Sequence, residues 1–411
     1  MRKLLLMTVL LLTAVAASGG EFVSVDGTTH VKNGAEPAQG VKDLEMVEQW
    51  RAGGADDEEV FFGVVTQVES DTDGNLYLLD TQLSQVMVFD ADGAMTGTLS
   101  RPGEGPGEVN IPADMCFMPD GSLGLMQSFP GKVVKVSLDD SPMGNLVPGG
   151  GPAAGGFLLM RDINSSGDQL VGCGEMIRPN EAQTGQTRTA FLSAFDADGN
   201  KTATFLEKSR EWEFASGNFT WDEAVEYFVH YRKWDTGPDG RIYAAPSRDN
   251  YEIHVWKTDG TLDRIIEREY ERWVRTDEEN ELVDKAMENL KRQFGGIPVE
   301  TKVSEFAEAV NSLFVSPDNE LWVLTNHGIR DLPEGVMNIY DVFDAEGHYD
   351  RQVKIKCDGN GEQDALMFTR DGRVVVVTGF MDAVTALQGG GAAEEGEEEA
   401  EPMEVICYSV K

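Results

Sequence analysis

One local pattern recurs along the chain and limits what it can become: an apolar run, a tight polar turn, then a second run rich in β-branched or aromatic residues. The turns are Asp73-Gly74-Asn75, Pro119-Asp120-Gly121, Ser166-Gly167-Asp168, Pro238-Asp239-Gly240, Pro317-Asp318-Asn319 and Asp371-Gly372. Each is the sequence form of a β-hairpin, because Asn, Asp and Gly tolerate the positive φ that tight turns demand. Runs such as Leu76 to Leu79, Leu321 to Leu324 and Val374 to Val377 follow the turns directly. A second, offset set closes VMVFDADG at Asp92-Gly93, LSAFDADG at Asp198-Gly199, IHVWKTDG at Asp259-Gly260 and YDVFDAEG at Glu346-Gly347. Two hairpins per copy give four short strands.

Counted at the first turn, the copies are 47, 46, 73, 78 and 54 residues apart. Self-similar four-stranded units at such spacing are what β-propeller blades leave in a sequence, and six turns predict six blades in an all-β chain. The two long intervals hold insertions. One is 206 to 228. The other runs from Thr276 to Gly295, where acids in the first turn, basic residues in the last and a following glycine predict a short helix between blades four and five. The sixth copy stops one strand short, after MEVICYSVK. Leu44 to Trp50 alternates Leu44, Met46 and Trp50 with Glu45 and Gln49, so it is expected to pair onto Met403 to Val410 and close the ring. The expected organisation is a signal peptide at 1–17, an N-terminal segment with the closing strand at 18–60, and the propeller at 61–411, with the helical insertion at 276–295 and an acidic loop at 388–402.

The start of the chain predicts export. Arg2 and Lys3 precede the apolar stretch Leu4 to Leu12, and Ala14, Val15, Ala16 and Ala17 supply the small residues of a cleavage site. No segment is long and apolar enough to be expected to span a membrane. Seventy-two acidic residues against 34 basic ones give a net charge of −38. Removing the leader takes two basic residues and no acid, so a secreted or periplasmic product is more acidic still. That charge argues against nucleic acid and against anionic membrane surfaces as partners.

The stretch from Val65 to Asp139, with GNLYLLDTQLSQVMVFDADG followed by RPGEGPGEVNIPADMCFMPDG, resembles secreted six-bladed propellers related to NHL repeats and to the TolB-like superfamily. The loop Gly103 to Glu108 with Pro112 is its most specific part. Blades three to six lack that Gly-Pro-Gly loop. The resemblance implies architecture, since such propellers include scaffolds, lyases and lactonases alike.

Residues just after each second strand are expected to ring one rim of the channel: Asp80, Gln127, Glu175, Arg248, Asn326 with His327, and Thr378. Lactonase-type propellers of similar fold carry a calcium site of one Glu, two Asn and one Asp there, and Asp80, Glu175 and Asn326 match it by type. The competing expectation is that Asp80 hydrogen-bonds local backbone amides. The insertion from Trp212 to Trp234 holds eight aromatic residues in 23. It is expected either to pack the insertion onto a blade edge or to capture a ligand through Trp221 and Tyr231, with His230 and Arg232 as polar handles. Thr220 with Glu223 reads as a capping box.

No nucleophile elbow, phosphate loop or His-Glu-x-x-His zinc motif is present. The sequence therefore favours an exported binding or scaffolding module for a protein or cell-envelope ligand, with Trp221, Tyr231, His230, Arg232, Arg248 and His327 as contacts and no cofactor. The alternative is a calcium-dependent hydrolase or lyase of lactonase type at the rim, with Asp80, Glu175 and Asn326 as ligands. Four cysteines in an exported chain predict disulfides, with Cys116–Cys173 and Cys357–Cys407 as the adjacent-blade pairing.

Overall fold

The computed structural model describes residues 20–151, 156–214, 219–294, 297–389 and 402–411. The expected signal peptide and the acid run at 394–401 lie outside them. Each first turn reverses the chain as its residues require, with φ from 60° at Gly167 to 86° at Gly372, and 61° at Asn319 where no glycine stands.

The hairpins assemble into six antiparallel four-stranded blades. Their inner strands are Val65–Ser70, Pro112–Phe117, Phe157–Ser166, Trp234–Thr236, Ser312–Val315 and Ala365–Phe368. Six apolar clusters fill the six interfaces between neighbouring blades. One joins Val65, Leu76 and Phe89 of blade one to Val375, Val377 and Cys407 of blade six. The ring therefore has a packed core at every joint, including the one between its first and last blades. The molecule is a six-bladed β-propeller.

The N-terminal segment lines the outer edges of three blades. Glu21–Val25 and Thr28–Asn33 form a hairpin whose second strand pairs parallel with Leu262–Arg268 of blade four. Val41–Leu44 pairs parallel with Tyr349–Ile355 of blade five. Met46–Gly53 pairs antiparallel with Glu404–Val410 as the fourth strand of blade six. The strand expected over Leu44 to Trp50 is thus divided, and Leu44 belongs to a different blade from Trp50.

Among the described residues three α-helices interrupt the strands: α1 (Glu223–Glu226), α2 (Asp277–Gln293) and α3 (Phe380–Gly389). The Thr276 side chain accepts from the Glu279 N–H and Glu279 answers to the Thr276 N–H, a complete capping box on α2. α1 differs from expectation. Asp222, not Thr220, is its cap, accepting from the Ala224 and Val225 N–H groups, because Thr220 is already committed to the strand Phe219–Asp222. α3 was not foreseen, since residues after Val377 read as the start of a loop.

The four cysteines are free thiols, a correction to the disulfide expectation. The reason is the blade geometry. Cys116 packs between blades two and three, whereas Cys173 packs between blades three and four. Cys357 and Cys407 likewise lie in the clusters on opposite faces of blade six. Strand alternation sends the partners of each pair into separate interfaces.

Candidate functional site

The inner strands surround a central cavity of about 850 Å³. Phe314, Tyr340, Leu366 and Phe368 of blades five and six, with Phe380, Val384 and Leu387 of α3, make an apolar stretch of its wall. The Phe314 and Phe368 rings stack there at 4.6 Å.

Blades one to four contribute a different surface. Each inner strand places a carboxylate against the cavity: Glu69, Asp114, Asp162 and Asp235. Two of them join neighbouring blades, because Asp114 accepts the Ile163 N–H at 2.8 Å and Asp235 the Val315 N–H at 2.8 Å. Asp235 also accepts from Asn164 at 2.8 Å and from the Arg370 guanidinium at 3.2 Å. Protein surrounds these acids on most sides, with Glu69, Asp114 and Asp162 half-buried and Asp235 buried. Burial accordingly pushes Glu69 up to about 7, with Arg370 drawing it partly back. Burial raises Asp114 well above the usual carboxylate range, with the Asp162 charge adding to it. It raises Asp162 to about 6 against the lowering pull of the Tyr231 N–H.

A β-bulge between Met160 and Asp162 turns Arg161 and Asp162 toward this wall. Facing them, Tyr231 and Arg232 lead into the inner strand of blade four in consecutive left-handed conformations, φ 56° and 63°. Such backbone is costly for side-chain-bearing residues and persists only where the surroundings impose it. Asp162 accepts the Tyr231 N–H at 2.9 Å, and the Arg232 carbonyl accepts the Leu313 N–H at 2.7 Å. Arg232 then donates to the Thr66 carbonyl of blade one at 3.2 Å, and Arg161 donates to the Tyr231 hydroxyl at 3.2 Å. Among the described residues no carboxylate forms an ion pair with Arg161 or Arg232, and the buried Arg161 Nε has no acceptor.

Behind this wall, Cys173 on the second strand of blade three stands opposite Asp162 in register. Its Sγ lies 3.2 Å from His230 Nδ1. Burial raises the thiol well above its ordinary value and lowers His230 to about 3, so both are neutral near pH 7.

The other residues singled out from sequence are engaged separately. Asp80 accepts the N–H groups of Gly63 at 2.7 Å, Val64 at 3.1 Å and Leu83 at 2.9 Å, the capping arrangement of a strand end. Glu175 is ion-paired with Arg188 and, at 2.7 Å, with Arg210. Asn326 donates to the Glu308 carbonyl at 2.9 Å and accepts from Arg330 at 3.3 Å. These three share no partner, and two guanidiniums on Glu175 oppose a cation there. Gln127 caps locally, accepting from the Asn110 N–H and donating to the Phe129 carbonyl. Arg248 is held by Glu223 and Asp249, each at 2.7 Å. His327 hydrogen-bonds the Glu271 carbonyl at 2.9 Å and meets the Trp273 and Tyr270 rings edge-on. Trp221 lies in the parallel pair Phe219–Asp222 with Val299–Lys302, away from the cavity lining. The structure thus brings Tyr231 and Arg232 to the cavity and His230 just behind it. It adds Glu69, Asp114, Arg161, Asp162 and Asp235, which sequence reasoning missed. Their signal was an acid at a comparable place in four of six inner strands.

Fold and cavity define the class: a six-bladed propeller with a mixed cationic, acidic and aromatic central chamber. No known protein-family pattern and no curated protein matches the chain. Among solved structures, a member of the DUF4221 family from Bacteroides vulgatus superposes with a TM-score of 0.51 at 10% identity, over 90% of this chain and 99% of that one. A Bacteroides fragilis protein described as exported gives 0.46 at 12% identity, over 90% and 95%. The Xanthomonas campestris gluconolactonase gives 0.40 at 13%, over 85% and 88%. At these identities the likeness is one of fold.

Proposed function

We propose that the protein is an exported binding module whose central cavity takes a ligand with an anionic group and an apolar body. The observation that carries this reading is the pair Arg161 and Arg232. In a chain with 72 acids and 34 basic residues, two guanidiniums face a cavity with no ion-pair partner among the described residues. The Arg232 side chain is exposed within the channel, and the surrounding protein lowers its pKa from the ordinary value, so it offers an accessible, charge-assisted contact to an anion. The aromatic stretch of blades five and six, with α3, suits the apolar part. The backbone strain at Tyr231 and Arg232 fits a site held ready for a ligand. The lactonase-type alternative depends on Asp80, Glu175 and Asn326, whose donors are spent on other partners.

Anilinonaphthalene sulfonate, an aromatic anion that fluoresces when shielded from water, is a suitable probe. We expect saturable binding to the folded protein, weakened about tenfold or more by Arg232→Ala and by Arg161→Ala, the loss of one charge-assisted contact each. Arg241→Ala, on a surface turn, should leave it unchanged. Equal affinity in all four proteins would sink the reading.

A further inference from the structure

We propose that Asp162, Cys173 and His230 form a binding site for a zinc-type divalent cation, seated between blades three and four. The site adjoins the cavity through Asp162 but does not rest on the anionic-ligand reading. Among the described residues these three are the only group of His, Cys and carboxylate side chains whose ligand atoms all lie within 4.8 Å of one another.

The donors come from two adjacent strands of blade three and from the segment that leads into blade four. Asp162 and Cys173 are cross-strand partners in register within blade three. His230 arrives from the segment that enters blade four, fixed by its own N–H to the Phe228 carbonyl at 2.9 Å. The Asp162 carboxylate is anchored by the Tyr231 N–H at 2.9 Å. Donor atoms around a tetrahedral zinc stand about 3 to 4 Å apart, and the observed 3.2 Å from Sγ to Nδ1 falls there.

Chemistry narrows the ion. Sulfur and imidazole nitrogen beside one carboxylate suit zinc or its cobalt analogue, whereas calcium and magnesium require oxygen donors throughout. A thiolate and a carboxylate together match a double positive charge. The alternative for Cys173 is a plain thiol hydrogen bond to the imidazole. A nucleophilic role is closed to it, since it is wholly buried and does not border the cavity. An ion is small enough to be seated there, and Asp162, which does line the cavity, marks the approach. Three protein donors leave a coordination position for water or a ligand atom, the pattern of zinc sites that do more than hold a fold together.

The test uses the full chain, stripped with chelator and checked for native circular dichroism. Titrated cobalt should bind one to one with a thiolate-to-cobalt absorption band. That band should vanish in Cys173→Ser, and affinity should fall about tenfold or more in His230→Gln and Asp162→Asn. Zinc should displace the cobalt, and a large excess of magnesium or calcium should not, which sets the site apart from loose binding by surface carboxylates. Zinc should also raise the melting temperature of the native protein but not that of His230→Gln, a readout that survives if the cysteine variant folds poorly. Absence of the band, its persistence in Cys173→Ser, or an equal zinc shift in His230→Gln would overturn the assignment.

Discussion

Glu69 shows how much one position can report about the channel. Among the described residues no hydrogen bond reaches its side chain, and burial raises it from 4.5 to about 7. Between those values the folded chain keeps a proton that the unfolded chain has released. The stability it contributes therefore falls as pH rises through that window. Glu69→Gln carries no such proton, so its melting temperature should gain on that of the native protein between pH 4.5 and about 7. Thermal melts across that range check this, and a constant offset would show that Glu69 ionises freely. Such residues were hidden in the sequence because an acid in a strand, whether of three residues or ten, looks the same whether it faces bulk water or a closed channel. The turns were legible for the opposite reason. Asp-Gly and Asp-Asn fix their own backbone, as Gly240 at φ 84° and Asn319 at 61° demonstrate, without help from the rest of the molecule.

At the scale of elements, the two long insertions meet. Phe219–Asp222 from the first pairs with Val299–Lys302 beyond the second. Trp212, Phe214 and Phe219 gather around Phe294 at the end of α2, with the Phe219 and Phe294 rings stacked at 5.0 Å. Most of the aromatic richness at 212 to 234 thus serves packing. Phe219→Ala should cost about 3 kcal/mol, read by denaturant titration, and should leave dye binding in the cavity intact. Unchanged stability would mean that the cluster is ornamental. α2 was legible because its caps and charges are local. The 206–228 insertion was misjudged at its start. Lys201–Glu213 is one continuous strand of 13 residues, and its second half is held by cross-strand partners up to Gly185–Glu213 that sequence spacing alone does not reveal. α3 was missed because its one first-turn acid, Asp382, has no basic counterpart in the last turn, and its apolar residues are satisfied by the cavity they line.

The whole molecule depends on joints rather than on any single sheet. Trp50 lies in the joint between blades six and one, stacked on Phe89 at 5.4 Å with 14° between planes. A methyl group on Gly93 would come within 2.4 Å of its ring. Trp50→Ala should cost about 3 to 5 kcal/mol, seen as an earlier denaturant midpoint, and a loss below about 1 kcal/mol would show that the joint holds without it. Six blades were legible as six turns; the Asp26-Gly27 turn, at φ 50° and 87°, marks the hairpin of 21–25 with 28–33 in the same way, but the parallel pairings of 28–33 and 41–44 onto blades four and five have no local signal. Those strands carry a temporal consequence. Residues 21–53 leave the ribosome before any blade exists, yet their partners at 262–268, 349–355 and 404–410 belong to blades four, five and six. The earliest part of the chain must wait for much later parts, so the sixth blade cannot be completed until residue 410 has been made. A polypeptide ordered in this way stays open, and able to be threaded, until its sixth blade has been made.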